Sequence, residues 1–286
     1  MAGGARTDPV LITGCSSGIG RAAAVSLHQA GLRVYATARQ LDTLADLASR
    51  GIATMALDVT DEASMTAAVA AVEADAGAVG TLINNAGYGL YGPVEQVPMA
   101  EIRREFETNF FGLVRLTQLV LPGMRKQRGG RILNVSSMGG RATLPGGAFY
   151  HASKYAVEAF SDALRMEVAQ FGIEVVLIEP GPVKTPWNDT AVGSLGEAAS
   201  GSGTDPYAAY KAAVGVSFSR TVSGPLARLG SDAQDIAKVI TRAVTAQRPR
   251  TRYLINPVAK SVVTLNRLLP GRAYDAVIRR QYGLPG

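Results

Sequence analysis

The chain has 286 residues, of which 47% are apolar and 18% charged. That balance can fill a large core and excludes a disordered or collagen-like chain. A single Cys excludes an intrachain disulfide framework and fits a reducing compartment; with only two His it also argues against a His/Cys zinc site. The net charge of +6 is uneven. Residues 236–286 hold ten Lys/Arg against one acid, Asp275, while the preceding 235 residues hold 19 basic and 22 acidic side chains. The body is therefore not a basic nucleic-acid binder. There is no apolar run of 18 residues and no apolar signal core at the polar start, so the expectation is a soluble, cytoplasmic protein.

Short β-branched runs alternate with longer amphipathic stretches. Residues 10–13 read as a buried strand, 18–30 as a helix ending near Gly31, 32–37 as a strand and 41–49 as a helix. Residues 52–57 are strand-like. Thr60 can N-cap a helix with Met65, Val69 and Val72 on one face. Residues 81–83 form a fourth strand. A long helix is expected over 99–125, with Ile102, Phe106, Phe110 and Leu113 in its stripe. Strands at 131–136 and 173–179 bracket a helix at 149–171. Repeated β-α units imply a doubly wound parallel α/β sheet, covered on both faces and forming one domain over 1–286. Residues 191–205, rich in Gly, Ser and Thr, read as a mobile loop at the active face, within a lid region of about 190–225. Further helical pattern and a short strand at 252–255 follow. The tail pairs Asn256 with Pro257 as N-cap and N1. Val258, Val262, Leu265, Leu268 and Leu269 then recur at helical spacing up to Pro270-Gly271, and Tyr274, Val277 and Ile278 mark a second helix. Packing of this stripe on the body is the favoured reading. An apolar, cationic face resting on an anionic membrane is the alternative.

The first strand runs into Thr13-Gly14-Cys15-Ser16-Ser17-Gly18-Ile19-Gly20 and then a helix. Glycines permit a tight turn and close approach to a phosphate, and the helix N-terminus offers unpaired N–H groups to a pyrophosphate. The spacing G-x-x-x-G-x-G differs from G-x-G-x-x-G and from the nucleoside-triphosphate loop G-x-x-x-x-G-K-[ST]. Cys15 reads as a small filler. A ribose discriminator is expected at the end of the second strand. Arg39 stands there, without a carboxylate. It is either a solvated Arg or a partner for a 2′-phosphate.

Tyr150 and Lys154 are one turn apart on a helix. A phenol near pKa ~10 is a poor acid–base group at neutral pH, and a neighbouring ammonium lowers that value. Ser137 ends the strand at 131–136, where strand termini meet a ligand crevice. Asn109 is a polar residue on an apolar stripe, either a satisfied structural amide or a functional one.

These residues, with Asp58-Val59, Asn84-Asn85-Ala86-Gly87, Ser136-Ser137 and Pro180-Gly181-Pro182-Val183-Lys184-Thr185, resemble the short-chain dehydrogenase/reductase family in its compact branch. The resemblance spans about 10–185. More loosely, through Gly14–Gly18, 34–39 and the long tail, the chain resembles members acting on steroids, retinoids and other lipophilic alcohols and ketones. The resemblance implies a Rossmann fold, a nicotinamide cofactor and a small-molecule substrate. Tyr150 would move the proton, Lys154 would lower its pKa and hold the nicotinamide ribose, Ser137 would bond the substrate oxygen, and Asn109 would hold a water. Gly14, Ser16, Ser17, Gly18, Ile19 and Gly20 would cradle the pyrophosphate. Asp58 and Val59 would flank the adenine, Asn85 and Ala86 the adenine ribose, and Val183 and Thr185 the carboxamide, with Gly87, Pro180 and Gly181 also binding the cofactor. Arg39 alone selects NADP(H) over NAD. A homodimer or homotetramer through helices 99–125 and 149–171 is also implied. A non-catalytic redox sensor on the same fold is the competing reading, disfavoured because all four of Asn109, Ser137, Tyr150 and Lys154 are present. His151 reads as a neighbour of the site, and Trp187 as either a pocket wall or a loop anchor.

Overall fold

The computed structural model describes residues 9–185, 187, 191, 193–195, 205–223 and 230–284, with side chains of 221–223 excepted. The first half alternates strand and helix: β1 (Val10–Ile12), α1 (Gly18–Gln29), β2 (Val34–Ala38), α2 (Ala45–Ala48), β3 (Ala53–Ala56), α3 (Glu62–Ala76) and β4 (Thr81–Asn84). Next come α4 (Met99–Phe106), α5 (Gly112–Lys126), β5 (Gly130–Val135), α6 (Ala148–Val168) and β6 (Ile173–Pro180). The remainder is β7 (Val183–Lys184), α7 (Ala208–Ser223), β8 (Ser231–Asp232), α8 (Ala233–Thr245), β9 (Arg252–Ile255), α9 (Pro257–Leu268) and α10 (Gly271–Tyr282).

Seven strands pair in parallel in the order β3-β2-β1-β4-β5-β6-β9, the doubly wound arrangement expected. Alternate side chains of each strand enter opposite cores. Val10 and Ile12 pack with Ala23, Leu27, Ile236 and Ile240 beneath α1 and α8. Leu11 packs with Met65, Val69, Val72, Leu116, Val120 and Leu164 beneath α3, α5 and α6. Strands covered on both faces need continuous apolar runs, which is why β1, β4 and β5 read so clearly. The order of the strands turns outward in both directions from β1 and β4, and the crevice beyond their carboxyl ends is where a ligand fits.

Two sequence expectations are corrected, and a third falls mostly outside the described residues. Asp61, not Thr60, caps α3, accepting from the Ala63 and Ser64 amides; the Thr60 hydroxyl instead donates to Asp58. The long helix is not uniform. A π turn, Glu107–Phe111, separates α4 from α5 and holds Asn109 inward. Residues 191–205 lie largely outside the described residues, but Ala191 and Leu195 are buried against the site wall.

The tail folds as its punctuation implies. Asn256 Oδ1 accepts from the Ala259 amide at 2.9 Å, and Pro257 is the first helical residue. Both tail helices turn their apolar sides to the body, burying Ala259, Val263, Tyr274 and Ile278. Leu268, assigned to the buried stripe from spacing, is 73% exposed, because the stripe ends as the helix leaves the body. Among the described residues no helix is long and apolar enough to cross a membrane.

Candidate active site

A crevice of about 760 Å³ opens at the carboxyl ends of the strands. Its floor at one end is the loop between β1 and α1. Gly14 lies at φ +72°, and a Cβ there would stand 2.9 Å from the Ala86 backbone. The Asn85 amide ties this loop down, donating to Thr13 O at 2.9 Å and Gly14 O at 3.2 Å. Asn85 therefore braces the loop with its side chain, although the sequence placed it beside a ribose. Ser17 is the N-cap of α1 and makes no side-chain cap bond, so the first N–H groups of the helix face the crevice. Cys15 is fully buried with its thiol pushed up to about 12 by burial, as befits a filler.

Ser16, Ser17, Gly18, Ile19, Arg39, Asp58, Val59, Ala86 and Gly87 line this end, and Pro180, Gly181, Val183 and Thr185 line the middle. Arg39 follows the last residue of β2, is exposed, and bonds no other described side chain. The end of β2 carries Ala38, so nothing there accepts from a ribose hydroxyl. A dinucleotide fits the cradle: glycine backbone and a free helix start for the pyrophosphate, then Asp58 and Val59 for the adenine. A nicotinamide group held there would supply hydride chemistry.

At the far end, Tyr150 and Lys154 rise from the first turns of α6, both buried. Ser137 caps the turn after β5, accepting from the Gly139 amide at 3.0 Å. Burial pushes the Tyr150 phenol up to about 12; a hydrogen bond with the Ser137 hydroxyl pulls it down, and the Glu105 charge adds to the rise. Lys154 Nζ stands 5.9 Å from the centre of the Tyr150 ring and donates to Val135 O at 3.0 Å. Burial lowers Lys154 to about 8, against the charges of Glu105 and Glu158. The expected lowering of the phenol by Lys154 is thus outweighed here by burial. Asn109 is saturated. Its Oδ1 accepts from Tyr88 N at 3.0 Å, and its Nδ2 donates to Tyr88 O at 2.8 Å and Ser153 Oγ at 3.2 Å. A Cβ on Gly87 would sit 2.9 Å from Asn109 Oδ1 and 3.6 Å from Lys154 Nζ, so only a glycine lets these two groups face each other.

Above Tyr150 stands an aromatic wall. Trp187 packs on it at 5.1 Å between ring centres, Tyr91 at 5.9 Å, and Phe218 meets Tyr91 edge-on at 5.1 Å. Trp187 is a pocket wall as well as a loop contact. Val258 and Val262 of α9 and Tyr282 of α10 complete the lining. His151 is buried, its Nδ1 3.1 Å from Gly139 O; burial lowers it to about 4, so it is a neutral neighbour of the site. Sequence reasoning missed Tyr282, which lies in the tail, far from any motif. It also missed Glu105, whose signal was available: a carboxylate one turn before Asn109 on the same apolar stripe.

The fold and crevice define a nicotinamide-dependent oxidoreductase of the doubly wound type. The short chain dehydrogenase family model matches residues 8–196, and the chain belongs to that family. It is 35% identical over 273 residues to the uncharacterized oxidoreductase YbbO of Escherichia coli (strain K12), covering 94% of this chain and 93% of that one. It is 36% identical to human retinol dehydrogenase 8 over 280 residues, covering 93% and 86%. A short-chain dehydrogenase from Streptomyces avermitilis shares the fold with a TM-score of 0.76, at 32% identity over 98% and 96% of the two chains. Two further neighbours, each 26% identical, are a serine dehydrogenase complexed with NADP+ (TM-score 0.74, 87% and 94% covered) and a Brucella melitensis 3-ketoacyl-(acyl-carrier-protein) reductase complexed with NADH (TM-score 0.70, 83% and 90% covered). The chain is accordingly an NAD(P)-binding oxidoreductase.

Proposed function

We propose that the protein is an NADP(H)-dependent carbonyl reductase acting on lipophilic ketones or aldehydes, with Tyr150 as the proton donor. The observation that carries this is a buried phenol, lining one crevice with Ser137 and with Lys154 Nζ 5.9 Å from its ring, at the base of an aromatic wall. A neutral phenol is the form that gives a proton to a carbonyl oxygen. Ser137 would bond that oxygen, and Lys154 would return a proton to Tyr150. Asn109 would hold the Tyr88 loop and α6 in register, leaving room for a water toward solvent. Arg39 supports the 2′-phosphate form of the cofactor, as it bonds no other described side chain and β2 ends without a carboxylate. The wall of Tyr91, Trp187, Phe218 and Tyr282, with Val258 and Val262, supports an apolar substrate, in line with the similarity to retinol dehydrogenase 8.

The test is the loss of NADPH absorbance across a panel of apolar and polar carbonyl compounds, repeated with NADH. Turnover of apolar carbonyls with NADPH is expected. Tight NADPH binding with silence across the panel would instead favour the redox-sensor reading. We also place the protein in the cytoplasm, in keeping with its one free, buried Cys. A homodimer or homotetramer is our reading of the exposed Phe111, Tyr155 and Met166 on the π turn and α6; light scattering showing a monomer at micromolar concentration would refute it.

A further inference from the structure

Glu105 is an ionisable group in a place that rarely tolerates one. It ends α4 with no exposure at all, one turn before Asn109. Its Oε1 accepts from the Leu90 amide at 3.0 Å and lies 3.5 Å from Asn109 Nδ2. Its Oε2 is buried without a hydrogen-bond partner among the described residues. Leaving a buried polar atom unbonded costs roughly 1–3 kcal/mol, more when it is charged. A clamp for Leu90 needs one acceptor, and an amide would serve as well. The second oxygen, and the charge, ask for a different account.

The groups around Glu105 supply it. Lys154 and Tyr150 face it from α6, Tyr88 and Tyr91 from the loop after β4, and Arg104 and Glu101 lie on the solvent side of its own helix. Lys154 is itself faced by Glu158 from the next turn of α6. Of these neighbours only Lys154 is a buried cation, and Asn109, which touches Glu105 at 3.5 Å, shares with Lys154 Nζ the space beside Gly87, so each charge favours the other's ionised state.

We propose that Glu105 is a positioning residue: its buried carboxylate holds Lys154 in the ammonium form on which Tyr150 depends. This rests on the roles given above to Tyr150 and Lys154. After the phenol has given its proton to the substrate oxygen, the ammonium returns one, leaving an amine that solvent reprotonates. Glu105 favours the ammonium at rest and pulls that last proton back. Burial raises the Glu105 carboxyl to about 7, opposed by the Leu90 amide and by Lys154, so its own charge varies across the neutral range.

The test reads Lys154 without any substrate. The chain has six Lys, few enough for each ¹³C-labelled Cε to be followed through a pH titration. The Lys154 signal is assigned by its loss in Lys154→Met. In Glu105→Gln, which keeps the acceptor for Leu90, the Lys154 midpoint should fall by about one pH unit, the lower end of what a close opposite charge confers. The alkaline limb of kcat should move down with it. An unchanged midpoint overturns the proposal, as does activity lowered equally at every pH. Should Glu105→Gln not fold, Glu158→Gln serves instead. There Glu105 is the remaining acid facing Lys154, and an inflection of the Lys154 signal near neutrality must persist; its absence overturns the proposal. No turnover on any substrate, with the titration shift intact, would refute the carbonyl-reductase reading and leave this coupling standing.

Discussion

The two ends of the crevice are built on different plans. The cradle end is assembled from short contiguous motifs: a glycine loop, the ends of β2 and β3, and the segments at 85–87 and 180–185. Each is fixed by backbone needs, such as the positive φ of Gly14 or the bare N-terminus of α1. The substrate end gathers Tyr91, Trp187, Phe218, Val262 and Tyr282 from a loop, the segment after β7, α7, α9 and α10. Most of that end lies beyond residue 196, where the family match stops. On the proposed function, chemistry would be held by local motifs, and selectivity by side chains that meet only through the fold.

The sharpest way to break this division is at Tyr150, which stands where the crevice meets the wall and packs on Trp187 and Tyr91. Tyr150→Phe keeps the ring that packs on Trp187 and removes the proton. Turnover should fall by ~10²–10⁴-fold, the range for a positioned proton donor, with NADPH binding nearly unchanged. Rapid kinetics beside fluorescence binding checks both, and a variant keeping half its rate removes Tyr150 from the chemistry.

His151, its neighbour, should act on stability instead. Its folded pKa of about 4 lies below the unfolded 6.5. The unfolded chain therefore binds the extra proton first, and stability is lost as pH falls from 6.5 toward 4, by up to about 3 kcal/mol. The Glu105 and Glu158 carboxyls, both raised to about 7, tilt the opposite way over the same range. The useful quantity is hence the difference between wild type and His151→Asn. Denaturant melts should show wild type losing ground to the variant on acidification; parallel curves would show that His151 is not buried in its neutral form.

Sequence patterning anticipates the first plan far better than the second. Continuous apolar strands and the Gly14–Gly20 spacing are local, so β1 to β6 and the glycine loop follow from the sequence within a few residues. The Asn256-Pro257 cap and the break at Pro270-Gly271 are local too, and the tail helices begin where these dictate. Failures occur where tertiary contacts decide. The π turn that aims Asn109 inward leaves no periodic trace within a helix that otherwise keeps its stripe. Asn85 lines the crevice and also braces Thr13 and Gly14, a task its spacing does not report. Lys154 beside Tyr150 suggests a lowered phenol, but burial, which spacing does not report, prevails.

Arg39 tests whether cofactor choice is as local as the cradle. Ala38→Asp with Arg39→Ala places a carboxylate at the end of β2 and removes the cation. A guanidinium–phosphate contact is worth roughly 1.5–3 kcal/mol, so the ratio of NADPH to NADH affinity should fall by about 10- to 150-fold. The exposure of Arg39 favours the lower end. If the unaltered protein binds both cofactors equally, the 2′-phosphate is read elsewhere or not at all.

The smallest effect belongs to Tyr282, at the end of α10, and it carries the comparison furthest from the motifs. The ring packs against the cluster of Tyr91, Tyr150 and Val214 from one side and that of Ala142, Tyr274 and Ile278 from the other. It therefore joins the tail to the wall around Tyr150. Full burial of a large apolar side chain is worth about 1.5–3 kcal/mol. A ring that contributes half of that to substrate contact gives about 1.4 kcal/mol at most, or a tenfold rise in KM. Tyr282→Ala should thus raise KM for a bulky apolar carbonyl by up to about tenfold, leave small carbonyls nearly untouched, and leave the NADPH dissociation constant unchanged. The basic residues of α9 and α10 point away from the crevice, so Arg272→Ala should alter none of these three values. A matched loss for small and bulky substrates would mean that the tail supports the whole site, and that the division between local chemistry and assembled selectivity fails there.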